Sequence, residues 1–241
     1  MSKLTTNNPK IIVALDFSDS DSAIGFARAH LTPSLCRVKV GKELFTACGP
    51  NIVDKLHTLG FQVFLDLKYH DIPETVFKAV DVAKELGIWM LNVHAFGGHT
   101  MMEAAMEGAG NDEDRPLVIG VTLLTSLDST DLAELNIHNT PYQQVHALAH
   151  LARKSGLDGV VSSAQEVGDL VPQFPQTFKF VTPGIRPTFS NKNDQKRVVT
   201  PTQAIRNGAS YLVIGRPITQ APDPDVVLRQ IDNEIQLITV K

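Results

Sequence analysis

The stretch Gln62-Val63-Phe64-Leu65-Asp66-Leu67-Lys68-Tyr69-His70-Asp71-Ile72-Pro73 is an apolar run that alternates into charge and then breaks. A strand repeats every two residues, so Val63, Leu65 and Leu67 take one face and Phe64, Asp66 and Lys68 the other. Pro73 is pre-set for the first turn of a helix. Apolar spacing continues from it to Leu86, and Gly87 is placed to close the segment. The whole reads as one strand–helix unit, whose nearly continuous apolar strand suits a parallel sheet covered on both faces.

The same unit recurs along the chain. Runs rich in β-branched residues lie at 11–16, 37–41, 62–68, 89–94, 117–124, 159–162, 179–182 and 211–215, most of them followed by helical spacing. Asp19 and Ser20 announce a helix over 23–31, and Pro141 opens one to Lys154; Gly60 and Gly156, like Gly87, end theirs. Eight alternating units in 241 residues favour a single-domain α/β protein, a (β/α)8 TIM barrel, over an open doubly wound sheet. The expected organisation is a polar N-terminal tail, 1–10, and a catalytic barrel, 11–241. Two connections, 125–140 and 184–200, are long for their place and read as functional lids or disordered segments. Both follow strands, which puts them on the catalytic face of a barrel.

Composition narrows the class. With 22 Lys and Arg against 26 Asp and Glu, a net charge of -4 and cations scattered along the chain, there is no footprint for nucleic acid. Cys36 and Cys48 are too few for a disulfide scaffold and lack zinc-site spacing, so both read as small apolar residues in a reducing compartment. The first ten residues lack the apolar stretch of a secretory signal, and the longest apolar run, 117–124, is far short of the ~20 residues that span a bilayer. A cytoplasmic enzyme is expected, without a membrane partner.

Strand parity gathers the charges. In 11–16 it turns Asp16 inward at the strand end, and in 37–41 it turns Lys39 inward, beside the Asp66 and Lys68 of the third strand. Such a layer can be a structural ion-pair network. Desolvating charges costs several kcal/mol per ion, however, and barrels place their catalytic groups at this end of the strands. Arg37, inward but earlier in its strand, is expected to pair within the barrel floor. Gly215 and Arg216 end the eighth strand, where barrels often hold phosphate: a glycine admits the backbone and an arginine forks onto the dianion. On the dipeptide alone, an ordinary Gly-Arg turn is the preferred reading. Arg186, in Thr182-Pro183-Gly184-Ile185-Arg186, and Gln195 in the following loop are candidate contacts on lid closure. His94 reads as a base or as a hydrogen-bonded structural histidine, His138, His146 and His150 as surface residues, and Met101, Met102 and Met106 as helix packing.

Six motifs in order, Val13-Ala-Leu-Asp16, Lys39-Val-Gly41, Asp66-x-Lys68-x-x-Asp71-Ile-Pro, Val121-Thr-x-Leu-Thr125-Ser126, Thr182-Pro-Gly-Ile-Arg186 and Ile214-Gly-Arg216, closely resemble the orotidine 5′-monophosphate decarboxylases of bacterial type over essentially the whole chain. Glu74 departs from the asparagine more usual there. The resemblance implies decarboxylation of orotidine 5′-monophosphate to uridine 5′-monophosphate, without metal or organic cofactor. It implies that Lys68 protonates C6, that Asp66 stands beside the departing carboxylate, and that Lys39 completes the charged array. It further implies that Asp16 and Lys39 hold ribose hydroxyls, that Thr125 meets the pyrimidine edge, and that Arg186, Gln195, Gly215 and Arg216 surround the phosphate. Asp71 and Thr75 are implied to reach the neighbouring subunit's site in a homodimer. The nearest rivals are magnesium-dependent 3-keto-6-phosphogulonate decarboxylases and hexulose-phosphate synthases, which share Asp-x-Lys-x-x-Asp; Ile72-Pro73, Thr125-Ser126 and the long lid favour the pyrimidine nucleotide. A phosphate-ligand binding protein without turnover is a third reading, against which the intact Asp66 and Lys68 pair argues.

Overall fold

A computed structural model describes residues 8–187 and 199–239. Eight parallel strands close into a barrel in sequence order: β1 (Ile11–Ala14), β2 (Cys36–Gly41), β3 (Val63–Tyr69), β4 (Met90–His94), β5 (Leu117–Val121), β6 (Gly159–Val161), β7 (Lys179–Thr182) and β8 (Tyr211–Ile214). β8 pairs back on β1, Ile12 against Val213, so no strand edge is left open. Each of the eight expected runs is a strand, most of them a residue or more shorter. The fifth ends at Val121 rather than at residue 124. The expected loop 125–140 also holds a short helix, Ser129–Glu134, started by an Asp128 capping box that the surrounding polarity had masked.

Alternation sorts the apolar residues into two cores. Ile12, Phe64, Met90, Ile119, Val181 and Tyr211 fill the barrel interior. Val63, Leu65, Leu91 and Leu212 belong to the larger cluster between strands and helices. Helices start where their caps direct: Asp19 accepts from Ser22 N at 2.8 Å to begin Ser20–His30, and Thr140 opens Pro141–Lys154 with a capping box. Pro73–Glu85 packs closely against Gly98–Ala109, where a Cβ on Gly108 would lie 2.5 Å from the Phe77 carbonyl oxygen.

The floor is sealed by Arg37, which is 6% exposed. Its guanidinium donates to Gln62 Oε1 at 2.8 Å, to Asn8 Oδ1 at 2.9 Å and to the Pro9 carbonyl, and it lies over the Trp89 ring at 4.0 Å. Arg37 thus sits where parity put it, with neutral and aromatic partners. Cys36 is buried, which pushes its thiol up to about 12, in keeping with an apolar role. No helix among the described residues is long and apolar enough to cross a membrane.

Candidate active site

At the carboxyl ends of β1, β2 and β3 the inward charges meet in one chain of contacts. Lys39 Nζ lies 3.3 Å from Asp16 Oδ1 and 3.2 Å from Asp66 Oδ2, and Lys68 Nζ lies 2.5 Å from Asp66 Oδ1. Asp66 is the centre of this array: two cations and an amide converge on its two oxygens. Burial pushes its carboxyl up, but Lys39, Lys68 and hydrogen bonds from Lys68 and Asn92 outweigh that and hold it below the ordinary carboxylate value. Asp16 is the outermost member, with 64% of its side chain exposed at the mouth.

Sequence parity did not identify Asn92 as a site residue. It is 1% exposed on the inner face of β4; its Nδ2 donates to Asp66 Oδ1 at 2.7 Å, and its Oδ1 accepts from Lys68 N at 2.8 Å. The available signal was a polar residue at inner parity in an apolar strand. Lys68 itself has φ 53°, one of two non-glycine residues with positive φ among those described. That backbone region costs an L residue roughly 1–2 kcal/mol.

The charged array forms one wall of a cavity of about 200 Å³ whose opposite wall is apolar, built from Val121, Leu123, Val161, Val181 and Val213 with Thr125 at the rim. It is continuous, through Lys39, Asp66, Pro183 and Val213, with a second cavity of about 250 Å³ that carries Asp16, Arg186, Gly215 and Arg216. Arg186 is buried, and its backbone N–H donates to Val199 O at 3.0 Å. Gln195 lies outside the described residues. A site with a cationic–anionic pair facing an apolar slot, joined to a polar lobe with two arginines, suits a flat ring bearing an anionic group at one end and a phosphate at the other.

Asp71 and Thr75 are not brought to this cavity. Both are exposed beyond the end of β3, next to Ile72, which is 66% exposed. Glu74 forms an ion pair with Lys78 at 2.8 Å along the helix. His94 ends β4 half-buried against His70, ring centroids 5.5 Å apart. Burial, then His70, Lys42 and Lys68, push it down to about 4, so it is a neutral imidazole near pH 7. The metal reading of the histidines finds no geometry: among the described residues no three His, Cys, Asp or Glu side chains gather.

Known proteins similar to this chain fix its family. The family described as orotidine 5'-phosphate decarboxylase / HUMPS matches residues 9–231. An orotidine 5'-phosphate decarboxylase of Hydrogenovibrio crunogenus is 56% identical over 235 residues, covering 98% of this chain and 99% of its own length. One from Vibrio cholerae is 54% identical over 232 residues, 95% of this chain and 99% of its own. The crystal structure of the orotidine 5'-phosphate decarboxylase from Lactobacillus acidophilus superposes with a TM-score of 0.84 at 37% identity, covering 95% of this chain and 99% of that one. With the family matched over residues 9–231 and relatives more than half identical over nearly the whole chain, the chain belongs to the orotidine 5'-phosphate decarboxylase / HUMPS family.

Proposed function

We infer that this chain is a carboxy-lyase that converts orotidine 5'-phosphate to uridine 5'-phosphate in pyrimidine biosynthesis. The observation that carries the reading is the Lys68 and Asp66 pair, 2.5 Å apart, facing an apolar slot that opens onto an arginine-lined lobe. In the proposed mechanism the bond between C6 and the carboxylate breaks, its electron pair stays on C6, and carbon dioxide leaves. The Lys68 ammonium stabilises the negative charge as it develops and then gives its proton to C6. The amine left behind regains a proton from solvent. Asp66, beside the departing carboxylate, opposes the anionic ground state and keeps Lys68 charged and aimed.

In this reading Asp16 and Lys39 hold ribose hydroxyls, Thr125 meets the pyrimidine edge, and Arg186, Gln195, Gly215 and Arg216 take the phosphate. Phosphate binding, remote from the reacting carbon, would help assemble and dehydrate the site; most of the 184–200 connection expected to act as a lid lies outside the described residues. Asp71 and Thr75 are exposed and do not line their own chain's cavity. Their exposure, with that of Ile72, supports a homodimer in which they complete the neighbour's site. The cytoplasm is the proposed compartment.

The test is spectrophotometric: purified protein should consume orotidine 5'-phosphate at the same rate with and without excess EDTA. No turnover would overturn the reading, and turnover lost to EDTA would move the chain to the metal-dependent branch of such barrels.

A further inference from the structure

β3 and β4 fall out of step at the site. Phe64 and Leu65 pair with Met90 and Leu91, but the next pair is Tyr69 with Val93. Between Leu65 and Tyr69 β3 therefore advances four residues while β4 advances two, so β3 carries two extra residues opposite Asn92. On its other side β3 stays regular as far as Gly41 against Asp66. The irregularity is thus confined to the span that bears Asp66 and Lys68. A bulge of this kind leaves backbone groups without ladder partners, and a buried N–H cannot stay unpaired without cost.

The Asn92 side chain fills the gap. Its Oδ1 takes the Lys68 N–H that the ladder no longer satisfies, and its Nδ2 grips the Asp66 carboxylate, the residue on the other side of the bulge. One amide bridges both catalytic candidates, from a strand that remains in register with β5, Asn92 against Ile119. It therefore couples the strained φ of Lys68 to the regular part of the barrel.

We propose that Asn92 is a positioning residue for decarboxylation: it holds the β3 bulge in the one backbone arrangement that sets Lys68 Nζ and Asp66 Oδ1 side by side. This rests on the decarboxylase reading above. Asn92 lines the same cavity, and an acceptor and a donor of its amide are held by Lys68 and Asp66, so its effect on the reaction is argued through those two residues. An alanine there removes both contacts. An aspartate keeps the shape and the acceptor for Lys68 N–H but loses the donor and sets a second carboxylate against Asp66.

The experiment compares wild type, Asn92→Ala and Asn92→Asp as intact enzymes. Turnover, KM, the inhibition constant of uridine 5'-phosphate, the pH profile and backbone amide exchange at Lys68 are all measured. Misplacing a catalytic group by about 1 Å costs ~10²-fold. Both variants should lose about that in kcat while product inhibition stays within about 3-fold. Burial raises Asp66 and the Asn92 hydrogen bond is among the contacts that lower it, so the acid limb of the profile should move to higher pH in both. The Lys68 amide should exchange at least about ten times faster in Asn92→Ala than in wild type, and stay slow in Asn92→Asp.

A kcat within about 3-fold of wild type, or kcat and product affinity falling together, would overturn the proposal. If wild type failed to turn over the nucleotide, the functional reading would fall by itself. The exchange arm would still judge Asn92: equal Lys68 protection in wild type and Asn92→Ala would refute its hold on the bulge.

Discussion

Replacing Lys68 with alanine tests the centre of the mechanism. An ammonium about 3 Å from the developing carbanion, at an effective dielectric near 20, contributes about 5 kcal/mol by Coulomb's law. That is roughly 10⁴-fold in rate. General-acid delivery of the proton adds about 10²- to 10⁴-fold. The two effects share one group, so the expected loss in kcat is about 10⁶-fold or more. Ground-state binding should change far less. Asp66 keeps Lys39 at 3.2 Å and Asn92 at 2.7 Å, so the carboxylate is not orphaned, and the arginine-lined lobe is untouched. Turnover would be followed by absorbance with enzyme in excess over hours, and uridine 5'-phosphate affinity by calorimetry, expected within about tenfold of wild type. Turnover within about 100-fold of wild type would refute the role of Lys68. So would a loss of product affinity as large as the loss of rate, because Lys68 would then merely build the pocket.

Arg216→Ala should lower kcat/KM for the nucleotide by about 10²- to 10³-fold, mostly through KM, as expected for loss of one partner of a charged hydrogen-bonded pair; orotidine without phosphate should be handled alike by both enzymes, and an equal loss on it would remove Arg216 from the phosphate. Gly108→Ala pushes a Cβ to 2.5 Å from the Phe77 carbonyl oxygen. Overpacking of about 1–3 kcal/mol, or about 2–12 °C in Tm at this length, should exceed what alanine ordinarily adds to a helix, and an unchanged melting point would contradict the close approach. His94, held down to about 4 from an ordinary 6.5, binds its proton in the unfolded chain before the folded one. Its contribution to stability is therefore present above pH 6.5 and declines as pH falls towards 4. Urea unfolding at pH 7 and 4.5 should show a larger acid loss in wild type than in His94→Asn, and equal losses would refute it.

How much of this was legible beforehand depended on how local the cause was. Strand parity placed Asp66, Lys39 and Arg37 inside the barrel because alternation is a property of the backbone alone, and all three are there; Lys68 also lines the cavity, but from positive φ beyond the regular part of β3. Gly60, Gly87 and Gly156 marked helix ends for an equally local reason, positive φ, which they adopt. Asn92 escaped because its role depends on a register slip between two strands. Nothing in either strand's own pattern records that β3 gains two residues over β4. The helix Ser129–Glu134 escaped because six residues show too few apolar positions for a period, leaving Asp128 as its only signal. The roles of Asp71 and Thr75 rest on the family resemblance alone, because a contribution to another subunit leaves no mark in one chain's strand or helix pattern; both are exposed.

The two inward cations at opposite ends of the barrel show why the residue types differ. Arg37 and Lys68 share inner parity, yet Arg37 sits among neutral acceptors and the rings of Trp89 and Tyr211, while Lys68 sits against a carboxylate. A guanidinium is weakly hydrated, offers five donors and stacks on aromatic faces, so it can be buried without a counter-ion. It does not give up its proton, which suits a floor that must stay closed. An ammonium is more expensive to bury and needs Asp66, but it can release a proton to a carbanion. Exchanging the two types would fail at both ends: a lysine in the floor would lack the fork that reaches Gln62 and Asn8 together, and an arginine at 68 would keep the charge and withhold the proton. Under the proposed decarboxylation, the need for a transferable proton, rather than charge alone, accounts for a lysine at the mouth of this barrel.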